Sequence, residues 1–220
     1  MIRLRSLVSA ALVFTTLAAG SAHADVILST SSVGRYNASI GTSLDTSGTL
    51  DPFPCANVAC GDATVSFATA PNLSAASIAL GSWLSNPASP GGAWTAAQAI
   101  PSTWAINTET AIIYEIGAGA GLTNLSLSLG VDNGIFVWLD GNYLFGARSA
   151  GGASAGEYVV PLPDLAAGTH FLQVLREDHG GETGYSIQLT GNAVSVPEPG
   201  TLALLGLGLA GLAGLRRRHV

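Results

Sequence analysis

Asp132-Asn133-Gly134-Ile135-Phe136-Val137-Trp138-Leu139-Asp140-Gly141-Asn142-Tyr143-Leu144-Phe145 carries the decisive signal for the fold. Ile135 to Leu139 is a continuous apolar run, too short for a helix and rich in strand-forming side chains. Asp140-Gly141 then separates it from a second apolar run, Tyr143 to Phe145. A two-residue hairpin turn needs positive φ at both central positions, which favours this pair of residues. The phrase therefore predicts two antiparallel strands, entered through a turn at Asp132-Asn133-Gly134.

The same grammar extends outward. Leu125, Leu127 and Leu129 alternate with Ser126 and Ser128, and Tyr185, Ile187 and Leu189 alternate with Ser186 and Gln188. Ile112, Tyr114 and Ile116 share one face, and Phe171 to Glu177 makes another strand. A period of two marks half-buried strands with one wet face. About six strands are expected between residues 109 and 190, with turns at Gly151-Gly152, Ala167-Gly168 and Gly180-Gly181. The pattern predicts an all-β fold, an antiparallel two-sheet sandwich of jelly-roll type. Val26 to Leu28, Val65 to Phe67 and Ile78 to Leu84 are expected to add strands, separated by proline-marked connections. One body over 25–194 is expected, with a separate subdomain over 25–105 as the alternative.

Charge is scarce. Only 10% of the 220 residues are charged, against about 25% in an average soluble domain. All eight basic residues are arginines, five of them at the extreme ends, so the body offers no phosphate-binding stripe. Nucleic acid is not an expected partner. Trimming the ends leaves three arginines against thirteen carboxylates, a formal charge of −10.

The ends read as addresses. Arg3 and Arg5, the apolar stretch Leu7 to Ala19 and the small residues of Ala22-His23-Ala24 describe a signal peptide over 1–24. Signal peptidase cleavage is expected before Asp25. At the other end Val196, Pro197, Glu198, Pro199 and Gly200 precede an apolar segment over 201–215, then Arg216, Arg217 and Arg218. Fifteen helical residues rise about 22 Å, short of a hydrocarbon core of about 30 Å. Arginine snorkelling and local thinning would still permit a single short transmembrane helix. The basic cluster would stay cytoplasmic.

These last residues resemble the PEP-CTERM sorting signal of Gram-negative bacteria: a Val-Pro-Glu-Pro motif, a short apolar helix and a basic cluster, in contact over 195–220. The resemblance implies an exosortase partner, transient anchoring in the inner membrane, cleavage near the motif, and transfer to the cell surface or exterior. Such proteins accompany exopolysaccharide and biofilm production. The tail is also known as an "ice-binding protein C-terminal domain", a label that describes the tail alone. The second half of the body looks like secreted jelly-roll and carbohydrate-binding-like domains, through the Asp132 to Gly141 phrase.

Candidate sites are few. Cys55 and Cys60 are the two cysteines, and in an exported chain a local disulfide is the default. Arg176-Glu177-Asp178-His179-Gly180-Gly181-Glu182 is the most polar stretch of the body. It reads either as a ligand loop built on Glu177, Asp178 and His179, or as a solvated turn with its carboxylates paired to Arg176 or to backbone. Oxygen ligands from several turns suit Ca²⁺, which Asp132, Asp140 and Asp178 could hold. Among Trp83, Trp94, Trp104 and Trp138, Trp94 in its glycine-rich loop is the surface candidate for stacking on a sugar, and Tyr143, just after the hairpin turn, is a second candidate. Trp138 is expected in the core.

No nucleophile elbow, zinc helix or phosphate loop is present, and a non-catalytic body is expected. A glycan hydrolase using Glu157, Glu177 or Asp178 is the enzymatic alternative. Ice binding is a further alternative, without any regular threonine repeat to support it. Extracellular polysaccharide is the expected partner.

Overall fold

The computed structural model describes residues 24–54, 63–195, 200 and 206–211. Among these residues eleven strands form two antiparallel sheets: β1 (Asp25–Ser29), β2 (Val33–Gly41), β3 (Val65–Ser66), β4 (Gln98–Ala99), β5 (Glu109–Gly117), β6 (Leu122–Asp132), β7 (Gly134–Leu139), β8 (Asn142–Arg148), β9 (Tyr158–Pro161), β10 (Thr169–Glu177) and β11 (Gly184–Ala193). One sheet runs β1-β11-β6-β9 and the other β3-β8-β7-β10-β5-β2-β4. The expected all-β sandwich is present. Its N-terminal strands join the same two sheets as the later ones.

Between the sheets lies the main core. Leu127, Leu129, Val131 and Ile187 of the four-stranded sheet meet Ile112, Ile135, Val137, Leu172 and Val174 of the seven-stranded one. The serines that alternate with the β6 leucines are only partly buried. A second core covers the opposite face of the seven-stranded sheet. Phe136, Trp138, Leu175 and Ile113 pack there against Leu44, Phe53, Leu80 and Trp83 from the long connections. This explains why Ile135 to Leu139 lacks alternation: β7 is buried on both faces along its whole length.

The β7–β8 hairpin turns as its residues predict. Asp140 has φ +49° and Gly141 φ +77°. A side chain at 141 would also run into the Leu84 carbonyl oxygen. Gly141→Ala should therefore lower unfolding free energy by about 2 kcal/mol or more, read as a lower urea midpoint. An unchanged midpoint would mean that the hairpin relaxes at no cost.

One expected strand is corrected. Ile78 to Leu84 instead follows a 3₁₀ turn (Ser74–Ala76) as a short helix α1 (Ser77–Leu80) and a turn. Ala76 and Leu80, four residues apart, are buried, whereas Ile78 is 92% exposed. That is the period of a helix, and alternation does not hold. Gly81 closes it at φ +59°. Three strands, β2, β4 and β9, were not predicted, and β4 has only two residues in which to show a pattern. In β2, Gly34 allows the backbone to approach Ile113, whose oxygen would lie 2.8 Å from an added Cβ. Strand β9 is a short edge strand ending at Pro161, where the missing N–H costs no ladder bond in the sheet interior.

Residues 1–23 of the proposed signal peptide, Cys55 with Cys60, Val196 to Pro199 and Arg216 to Arg218 lie outside the described residues. Within the apolar tail, residues 206–211 are helical and exposed. No helix among the described residues is long and apolar enough to cross a membrane. Most of the expected span over 201–215 falls outside them.

Candidate functional site

The consecutive strands β6 and β7 pass from one sheet into the other at Asn133. Their partners β11 and β10 cross alongside them through residues 178–183. This corner gathers the polar residues singled out in the sequence. The Asp132–Asn133 peptide is cis. Asn133 donates its side-chain amide to Asp132 Oδ1 at 2.8 Å and its backbone N–H to the Glu177 carbonyl at 3.0 Å. The His179 N–H in turn donates to Asn133 Oδ1 at 3.3 Å. Asp178 Oδ2 accepts backbone N–H groups from Asn107 at 2.5 Å and Gly180 at 3.2 Å.

On the outer face of the seven-stranded sheet the strand register makes a charged row. Glu177 lies opposite Gly134 on β7, and Gly134 lies opposite Arg148 on β8. An added Cβ at Gly134 would sit 2.5 Å from Glu177 Oε2, so glycine leaves the room that this carboxylate occupies. Glu177 Oε1 is 2.7 Å from His179 Nδ1, and both side chains are 1% exposed. Arg148 donates to the backbone carbonyls of Thr49 and Asp51, tying the 42–54 connection over the row. Asp45, from the same connection, shares a hydrogen bond with Glu109 at the start of β5.

Burial governs the electrostatics here. Glu109 is pushed up to about 10, first by desolvation and then by the Asp45 carboxyl beside it. It is protonated at neutral pH and serves as a donor. Desolvation raises Glu177 and Asp45 as well, opposed in both cases by His179. Asp178 is pushed up to about 6 by burial, against the N–H groups that hold its charged form.

The solvated-turn alternative for 176–182 is thereby corrected for its first half. Arg176, Glu177, Asp178 and His179 are all 1% exposed or less. Arg176 does not pair with Glu177 or Asp178, because strand alternation sends it to the inner face. There its guanidinium lies 4.2 Å from the Trp104 ring centroid, 4.8 Å from Tyr185 and 5.5 Å from Tyr36. It donates to Thr110 Oγ1 at 3.0 Å and to the Pro101 carbonyl at 2.8 Å. Desolvation lowers its pKa, opposed by Tyr185, Tyr36 and Tyr114.

The remaining candidates lie elsewhere. Asp140 sits at the far end of β7 from Asp132. It binds His170 Nδ1 at 2.7 Å and accepts the Phe171 N–H at 2.8 Å, so Asp132, Asp140 and Asp178 do not converge. Among the described residues, no three His, Cys, Asp or Glu side chains are placed to hold a metal ion. Glu157 binds the Ser149 hydroxyl at 2.6 Å and the Val131 N–H at 3.2 Å. Trp94 and Tyr143 belong to one aromatic layer. Trp94 stacks on Trp83, Trp83 meets the edge of Trp138, and Trp138 meets Tyr143. The Trp94 indole N–H donates to the Leu80 carbonyl at 3.0 Å, and the Tyr143 hydroxyl to the Phe67 carbonyl at 2.7 Å. Both are half-buried with their polar atoms engaged internally. Chemically, the corner cluster can hold protons and fasten the 42–54 connection, but its carboxylates do not face an open cleft. Sequence reasoning missed Asp45, Glu109 and Arg148, each unremarkable alone in the chain.

Comparison with known proteins gives one specific match and three distant likenesses of shape. No curated protein matches the chain. An anti-sigma factor domain-containing protein superposes with a TM-score of 0.37 at 9% identity, over 77% of this chain and 50% of that one. The chain thus spans about half the length of that protein. A PA14 sugar-binding domain from an RTX adhesin gives 0.31 at 11% identity, over 73% and 90%. A GH31 alpha-xylosidase from Xanthomonas citri gives 0.25 at 16% identity, over 43% and 12%. The specific match is to the PEP-CTERM protein-sorting motif, over residues 195–218. Beginning two residues after the last described strand ends at Ala193, the tail of the chain carries this motif, which implies sorting by an exosortase and export to the cell surface or exterior.

Proposed function

We propose that the exported sandwich is a non-catalytic component of the cell surface or extracellular matrix that associates with exopolysaccharide. The sorting motif carries this reading. It abuts the final strand, so cleavage near Pro197-Glu198-Pro199 would release a sandwich with every strand intact. Two features of the body support it. The four-stranded sheet bears a shallow depression of about 390 Å³ whose lining is uncharged and rich in hydroxyls and amides, among them Ser29, Thr30, Ser31, Ser128, Ser186 and Gln188. Of the carboxylates nominated for hydrolysis, Glu177 and Asp178 are 1% exposed and bound within the fold, and Glu157 is half-buried and bound to Ser149 and the Val131 N–H. A hydrolytic pair must flank a bond of a substrate that can reach it.

Replacing Pro197, Glu198 and Pro199 together with alanine is expected to move the protein from the exterior to the inner-membrane fraction. Fractionation followed by immunoblotting reads this directly. Equal export of parent and variant would overturn the sorting reading.

A further inference from the structure

Of the three arginines between residues 24 and 195, Arg148 and Arg176 are fully buried. The chain contains no lysine, so Arg35 supplies the only Arg or Lys charge that reaches the surface of the described body. It does so in a cleft of about 430 Å³ on the outer face of the seven-stranded sheet, with Val33, Ala97, Ile113, Glu115 and Phe171. That volume falls within the range of about 300–1,000 Å³ usual for small-molecule sites.

Register explains the arrangement. Arg35 on β2 lies opposite Ile113 on β5, and Glu115, two residues further along β5, lies opposite Phe171 on β10. Ile113 and Phe171 belong to the outer core and floor the cleft, while Glu115 stays exposed. Arg35 gives one N–H to the Ala88 carbonyl at 2.9 Å and, among the described residues, has no carboxylate in ion-pair contact. The Glu115 carboxylate has no hydrogen-bond partner among the described residues. One half-buried phenyl ring therefore shares a cleft with a guanidinium that keeps N–H groups beyond its bond to Ala88 and with a carboxylate that has no partner among the described residues.

We propose that this cleft is a binding subsite for one ring of a neutral pyranose polysaccharide. The apolar C–H face of the sugar would lie against Phe171 and Val33. Its hydroxyls would accept from the Arg35 guanidinium and donate to the Glu115 carboxylate, as charge-assisted hydrogen bonds. Because the two charges cancel, a uronate or phosphate that gains from Arg35 is opposed by Glu115. The assignment rests on the polysaccharide reading above and locates it.

The test is calorimetric titration of the full exported protein with neutral gluco-, manno-, galacto- and xylo-oligosaccharides, and with an oligouronate for comparison. At least one neutral series should bind. Glu115→Gln and Arg35→Gln should each lower its affinity about tenfold or more, with thermal unfolding unchanged. Phe171→Leu, which keeps apolar volume but removes the flat face, should weaken it too. Retained affinity in all three variants would overturn the subsite and leave the general polysaccharide reading standing. Binding of the oligouronate in preference to every neutral series would overturn the neutral assignment. A parent protein that binds no oligosaccharide would overturn both.

Discussion

Raising the pH from 5 to 8 is expected to cost the fold about 4 kcal/mol through Glu109 alone. In the folded chain this carboxyl keeps its proton up to about 10, against an ordinary value of 4.5. Below 4.5 both folded and unfolded chains carry the proton, and the full stability is present. Above 4.5 the unfolded chain releases its proton while the folded chain keeps it. Each further unit then favours unfolding by about 1.4 kcal/mol, until the folded value is reached.

Glu177, Asp45 and Asp178 are raised by burial too and act with the same sign, Asp178 over a window that closes at about 6. The Asp140 carboxylate raises His170, whose contribution is likewise lost as pH rises. That pair is open to solvent, so its share is small. Glu109→Gln retains the shape and a donor towards Asp45 but cannot ionise. It should reduce the slope by about 1.4 kcal/mol per pH unit and stabilise the protein at pH 8. Urea unfolding at pH 5, 6, 7 and 8 measures both effects. A flat parent profile, or an unchanged slope in the variant, would sink the claim of a protonated Glu109.

Arg176→Ala is expected to cost about 3–5 kcal/mol of stability. The substitution empties the space between Trp104, Tyr185 and Tyr36 and leaves the Pro101 carbonyl and the Thr110 hydroxyl without this donor. Each cation–π contact contributes about 0.5–2 kcal/mol, and the bonds from a charged donor about 1.5–3 kcal/mol each. Against these stands the desolvation that lowers the Arg176 pKa. Arg176→Met separates the two effects, since it keeps most of the volume and removes the charge. If desolvation nearly balances the aromatic contacts, methionine should fall within about 1.5 kcal/mol of the parent. Equal losses for Ala and Met would show that charge outweighs cavity filling. Chemical denaturation with a constant slope distinguishes these outcomes.

Much of the strand plan was readable because alternation and turn chemistry are local. Leu125 to Leu129, Ile112 to Ile116 and Tyr185 to Leu189 each show a period of two over several residues, and all three are strands. The Asp140-Gly141 turn needed only two residues to be recognised. Ile78 to Leu84 misled because a four-residue helix is too short to display its period against a run of apolar residues. Strands β2, β4 and β9 escaped notice for related reasons. The first mixes Gly34, Arg35 and Asn37 into its pattern, and the other two have only two and four residues, on sheet edges.

The polar stretch at 176–182 shows where local reading stops. Its composition signalled a special place, and Asp178 does bond to backbone N–H groups. Whether Glu177 meets water or a buried histidine depends on the 42–54 connection folding over the sheet, more than 120 residues away in sequence. Asp45, Glu109 and Arg148 were invisible as a group for the same reason: only strand pairing makes them neighbours. Trp94 and Tyr143 likewise read as free aromatic surface. The structure engages both, because a sheet buried on two faces needs a second apolar layer.

Sequence alone carried the sorting motif of this protein and the two-sheet character of its body. A sorting motif is read by other proteins as a linear string, and strand periodicity arises from backbone geometry within each segment. Tertiary structure alone decided which polar residues are hidden and which meet solvent. Arg35, Arg148 and Arg176 are chemically identical along the chain. Register and face place Arg148 beneath a connection, Arg176 between aromatic rings and Arg35 in an open cleft.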